Sequence, residues 1–172
     1  LNSPAGGWTV DSLFDPGNPD NRIDDAVRIT GVNPGDLAGA NVAGAGDVDG
    51  DGFGDILIAA PGAEGGKGVV YLVYGSATVS GEITLDDLGT VDVPGAKFIG
   101  RFAGDMLGGG SKTIANTDPS GGSTTAESRG VVRLGDVNND GKTDFAISAI
   151  LADPIGKQDA GEVYIIYGQG EQ

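Results

Sequence analysis

The sequence predicts an all-β fold assembled from two copies of one unit, and three observations carry that prediction. Glycine is abundant, at 33 of 172 residues, while aromatic residues make up only 6%, a composition that favours tight turns and short strands. No stretch places apolar residues at helical spacing over ten or more positions, so helix is expected to be minor. Finally, five segments recur in the same order along the chain, the signature of an internal duplication.

The segments can be taken in order. Trp8-Thr-Val-Asp-Ser-Leu13 matches Ile83-Thr-Leu-Asp-Asp-Leu88, so Trp8 occupies a core-type position rather than a ligand platform. Gly31, Gly35-Asp36 and Gly39 match Gly100, Gly104-Asp105 and Gly108. Gly46-Asp47 through Gly52 matches Gly135-Asp136 through Gly141, and Asp55 through Ala60 matches Asp144 through Ala149, both at an offset of 89 residues. Gly68-Val-Val-Tyr71-Leu-Val-Tyr74-Gly75 matches Gly161-Glu-Val-Tyr164-Ile-Ile-Tyr167-Gly168. The β-branched and aromatic runs bounded by Gly, Pro and Asp read as strands of antiparallel sheets, with the repeated tyrosines packing. The units divide at residues 1–78 and 79–172. The second carries an insertion at 110–130, rich in Gly, Ser and Thr, that reads as a flexible surface loop and a possible partner contact.

Two aspartate loops hold the chemistry. The first runs Asp47-Val-Asp49-Gly-Asp51-Gly-Phe53-Gly-Asp55, and the second Asp136-Val-Asn138-Asn-Asp140-Gly-Lys142-Thr-Asp144. Side-chain oxygens fall at loop positions 1, 3, 5 and 9, with glycine at position 6. Ca²⁺ takes roughly six to eight oxygen ligands, and a loop curled around it turns alternate side chains inward. Position 7 offers its backbone carbonyl, from Phe53 or Lys142, so the side chain there is immaterial. Mg²⁺ suits the pattern less, because it retains more of its waters. Asn138 replaces an acid, so the second site is expected to bind more weakly. An EF-hand needs a carboxylate at position 12 and a following helix, whereas Ile58 and Ile147 stand there and a strand-like run follows. These are calcium loops between strands.

The residues Gly46-Asp-Val-Asp-Gly-Asp-Gly-Phe-Gly-Asp-Ile-Leu-Ile-Ala-Ala-Pro-Gly62, followed by Gly68-Val-Val-Tyr-Leu-Val-Tyr-Gly75, resemble the FG-GAP repeat of integrin α-subunit β-propellers and their bacterial relatives. The resemblance implies a four-stranded blade per repeat, with calcium in a loop between two strands. The Phe-Gly and Gly-Ala-Pro signatures are altered, with Phe98-Ile-Gly100 near the first and Ala59-Ala-Pro61 at the second. A propeller closes with about four to eight blades, so two repeats imply a partial or assembled propeller, completed by further blades of a parent chain or by partners.

Composition narrows the function. A net charge of −15 disfavours nucleic acid. The absence of histidine and cysteine removes the preferred zinc and copper ligands, the common general base and the thiol nucleophile. Gly104 to Thr113 lacks the Gly-Lys-Ser/Thr order of a phosphate loop. No apolar run spans a membrane. The chain begins at Leu1 rather than Met, which reads as processing or excision from something longer. The expectation is therefore a non-enzymatic, secreted or cell-surface module with two Ca²⁺ sites, serving adhesion or protein–protein interaction. A structural subunit of a multi-chain assembly and a carbohydrate-binding propeller are the alternatives.

Overall fold

A computed structural model of the chain describes residues 26–77, 79–115, 123–128 and 130–169. The segment Trp8–Leu13, matched above to Ile83–Leu88, lies outside the described residues. Eleven strands are described: β1 (Val27–Thr30), β2 (Asn41–Gly46), β3 (Asp55–Ala60), β4 (Val69–Val73), β5 (Gly81–Thr84), β6 (Gly95–Ile99), β7 (Gly110–Ala115), β8 (Ser123–Ser128), β9 (Val131–Gly135), β10 (Asp144–Ala149) and β11 (Glu162–Ile166). Helix is confined to the turn Ala63–Gly66 and two short 3₁₀ segments, Leu85–Asp87 and Pro154–Gly156. The chain is all-β, with antiparallel sheets of the kind that form propeller blades.

The first blade-like sheet has the order β2-β3-β4-β6, and the second the order β9-β10-β11. Each aspartate loop joins the first two strands of its sheet. The second sheet has three described strands where the resemblance implies four. The fourth strand of the first sheet, β6, comes from beyond residue 78 and pairs Val70 with Phe98 and Leu72 with Ala96.

Alternation along β3 and β4 explains why the first sheet is buried on both faces. Leu57, Ala59, Val70 and Leu72 point one way and pack against Phe145, Ile147 and Ala149 of the second sheet. Phe98 of β6 meets Phe145 edge to face at 5.7 Å between centroids. Ile58, Ala60, Tyr71 and Val73 point the other way, under Leu85 and Val93, with Ile29 and Ile83 partly buried against them. Ile83, the repeat equivalent of Trp8, is thus partly buried against this cluster.

Two pairings differ from expectation. β1 and β5 form a parallel ladder, Val27 opposite Gly81 through Thr30 opposite Thr84, where only antiparallel sheets were expected. The insertion at 110–130 was expected to be a flexible loop; its ends instead pair as β7 and β8, antiparallel from Gly110–Ser128 to Ala115–Ser123. Its Ser and Thr residues are compatible with a strand ladder. The turn Gly104–Gly108, considered above for phosphate, repeats the turn Gly35–Gly39. Asp105 accepts from the Phe102 N–H, and Asp36 from the Asn33 N–H, each at 3.1 Å.

Candidate metal centre

Each aspartate loop begins at the same irregularity. The β2–β3 register shifts between Gly44 and Gly46, where Gly46 pairs with Asp55. The β9–β10 register shifts in the same place, with Gly135 opposite Asp144 and Arg133 opposite Phe145. Gly46 and Gly135 have φ of +82° and +81°, the left-handed geometry that a glycine bulge requires. The bulge turns the chain out of the ladder just before position 1. Position 4 is also left-handed, with φ of +86° at Gly50 and +62° at Asn139. Asparagine tolerates that region better than other side chains, which accounts for its standing opposite a glycine.

Within the first loop the carboxylates organise the backbone. Asp47 accepts from the N–H groups of Gly50 at 2.7 Å and Gly52 at 3.0 Å. Asp49 accepts from Asp51 N–H at 3.2 Å, and Asp51 from Phe53 N–H at 2.7 Å. Asp55, at position 9, is buried. Its two oxygens accept from Val48 N–H at 2.7 Å and Gly75 N–H at 2.9 Å. The second loop repeats the scheme. Asp136 accepts from Asp140 and Gly141, Asn138 from Asp140, and Asp140 from Lys142. Asp144, fully buried, accepts from Val137 N–H at 2.7 Å and Gly168 N–H at 2.9 Å.

The position-9 aspartate therefore ties the loop's second residue to the end of the Tyr-Gly strand. The glycines of that pair, Gly75 and Gly168, were seen in the sequence as a repeat landmark only. A Cβ on Gly75 would lie 2.3 Å from the Gly54 carbonyl oxygen, so glycine is the residue that permits this clamp.

In the first loop, Asp47, Asp49 and Asp55 bring carboxylate oxygens within 4.8 Å of one another. Asp51 is exposed and outside that group; Phe53 is exposed also. Burial holds the Asp55 carboxyl above its ordinary range, despite the two N–H bonds that favour its charged form. Burial likewise raises Asp49, and the neighbouring Asp51 and Asp47 charges add to the effect. A cation between these groups would relieve both strains. Asp136, Asn138 and Asp140 are exposed and Lys142 is half-buried. Asp140 is lowered, chiefly by its bond from the Asn138 amide at 2.8 Å. All-oxygen donors, three of them convergent and one buried, fit a hard divalent cation.

The two loops also touch. Thr143 N–H donates to the Asp47 carbonyl at 3.3 Å, and Gln169 N–H donates to the Val48 carbonyl at 3.0 Å. Lys142 Nζ stands 3.6 Å from the position a Cβ on Gly50 would take. The Lys142 ammonium of the second loop thus stands close to Gly50 of the first.

A family model described as FG-GAP repeat matches the chain twice, over residues 38–73 and 130–166. Each match takes in one aspartate loop, the strand before it and the two strands after it. No curated protein matches the chain.

Proposed function

Because the chain carries two FG-GAP repeats, we propose that it is a calcium-stabilised module acting outside the cell in adhesion or protein–protein interaction. The observation that carries this reading is the convergence of Asp47, Asp49 and Asp55 within 4.8 Å, on a loop whose position-9 clamp recurs in the second repeat. Asp47, Asp49, Asp51, Asp55 and the Phe53 carbonyl would hold one ion. Asp136, Asn138, Asp140, Asp144 and the Lys142 carbonyl would hold the other. Bound calcium supplies positive charge that offsets the mutual repulsion of these acids. The residues themselves shape the loop and clamp it to the sheet. The aspartates of each loop are at work in the loop's own hydrogen bonds, and the reading assigns the chain no reaction. Among the described residues no helix is long and apolar enough to cross a membrane.

Calorimetric titration of chelator-stripped protein tests the reading. Two calcium ions per chain are expected, the first loop the tighter. At about 2 mM calcium and a dissociation constant of about 10⁻⁴ M, each site stabilises the fold by about 1.8 kcal/mol. Together they raise the melting temperature by roughly 7–14 °C for a chain of this size. An absence of binding heat, with one melting temperature in calcium and in chelator, overturns it.

The carbohydrate alternative gains little, since Tyr71 is buried and Tyr74 and Tyr164 are partly so; Tyr167, expected to pack like them, is instead exposed. The assembly alternative is favoured by one specific feature: among the described residues Val132, Val163 and Ile165 of the second sheet are exposed.

A further inference from the structure

The first aspartate loop is held by the second repeat as well as by its own sheet. Val48, the loop's second residue, is 4% exposed and packs in one cluster with Phe145 and Ala152. Its carbonyl accepts the Gln169 N–H at 3.0 Å, and the Asp47 carbonyl accepts the Thr143 N–H at 3.3 Å. Thr143 is buried, and its hydroxyl accepts from the Arg133 guanidinium at 3.5 Å. A Cβ on Gly46 would come within 2.7 Å of that hydroxyl oxygen. One on Gly168 would lie 2.6 Å from the Thr143 carbonyl oxygen and 2.9 Å from that of Val48. Glycine at these two positions lets the backbones of the repeats approach this closely.

The contacts join the position-9 clamps of both loops into one run of hydrogen bonds. Asp144 accepts the Gly168 N–H at 2.9 Å. The next residue, Gln169, donates to the Val48 carbonyl at 3.0 Å, and the Val48 N–H donates to Asp55 at 2.7 Å. Thr143, the neighbour of Asp144 in sequence, gives a second and more direct route, to the position-1 carbonyl of the first loop. Groups standing behind a metal ligand fix its orientation, and their loss typically weakens metal binding about 10–100-fold. Here the groups behind Asp47 and Asp55 of one loop are also those beside and behind Asp144 of the other.

We propose that the two aspartate loops form one coupled cation-binding unit, in which Thr143, Gly168 and Gln169 of the second repeat position the first loop. Ordering either loop prepares the other, so the sites fill together rather than independently. This rests on the calcium reading of the loops and adds the coupling between them. Such coupling is reciprocal: an occupied second loop strengthens the first site by the same factor as the converse.

Calcium titration by calorimetry tests it. Asp140→Ala, a change at an exposed residue of the second loop, is expected to weaken the first site about fivefold. Asp49→Ala in the first loop is expected to weaken the second site by the same factor. Gln169→Pro deletes the donor to Val48, since proline has no N–H, whereas Gln169→Ala keeps it. In the Gln169→Ala background the effect of Asp140→Ala on the first site is expected to persist, and in the Gln169→Pro background to shrink to about twofold. Loss of charge alone would weaken the first site equally in both backgrounds, and that result overturns the proposal. So does a first site that Asp140→Ala leaves unchanged or tightens. Two ions bound independently overturn the coupling and leave the calcium reading standing; no ion bound overturns both. Amide exchange in chelator reads the positioning without metal. The Gly50 and Gly52 N–H groups, which Asp47 holds, are expected to exchange about tenfold faster in Gln169→Pro than in Gln169→Ala. Equal rates overturn the positioning role.

Discussion

Replacing Asp55 separates two roles that coincide in one side chain. As a clamp, Asp55 accepts the Val48 and Gly75 N–H groups at 2.7 and 2.9 Å from a buried position. Asp55→Ala leaves both donors without that acceptor, and a buried unsatisfied donor costs about 1–3 kcal/mol. Because burial raises the Asp55 pKa, its charged form is already strained, which places the loss toward the lower half of the combined range. We expect about 2–4 kcal/mol in chelator, where calcium plays no part. Asp49 makes its bond to an exposed loop N–H at 3.2 Å. Asp49→Ala should therefore cost under about 1 kcal/mol in chelator, yet abolish most of the first site's calcium-dependent stabilisation. Asp55→Asn, which keeps one acceptor oxygen, should fall between wild type and Asp55→Ala. Urea unfolding of all four proteins, in chelator and in calcium, reads these quantities directly. An Asp55→Ala protein as stable as wild type in chelator would refute the clamp, and a full calcium shift in Asp49→Ala would refute the ligand assignment.

Two further predictions concern charge. Asp49 and Asp55 are raised in the folded state, so at these two groups the folded metal-free protein binds protons more readily than the unfolded chain. Their contribution to stability should therefore fall as pH rises from the ordinary carboxylate value of 3.8 through the raised ones, the lowered and exposed Asp140 working the other way, while calcium, which favours the charged form, should stabilise more at about pH 7 than at about pH 4. Thermal melts with and without calcium check this, and an equal calcium shift at both pH values counts against it. Lys142 Nζ lies close to Gly50 of the first loop, so Lys142→Ala should tighten the proposed first site by roughly twofold, about 0.4 kcal/mol. Calorimetry would show the reverse if Lys142 instead holds the loops together.

What the sequence determined by itself was local. The spacing of Asp47 to Asp55 and of Asp136 to Asp144 announced the loops, since alternate side chains along a curled backbone face inward whatever surrounds them. The colinear repeats announced that the loops sit on equivalent strands, and the matched β2–β4 and β9–β11 ladders follow from that. The tertiary structure decided what depends on distant segments meeting. Asp55 reaches Gly75 and Asp144 reaches Gly168, so position 9, expected as an oxygen ligand, also clamps a strand end twenty or more residues away. The first sheet takes β6 from the following unit, β1 lies parallel to β5, and the ends of the insertion pair with each other. The first loop touches Thr143 of the second loop and Gln169 beyond β11. Strand propensity says that a segment will pair but not with which edge, because any backbone edge offers the same hydrogen bonds. Only the packing of whole sheets selects among them, and that selection buries Val70 while leaving Val163 exposed.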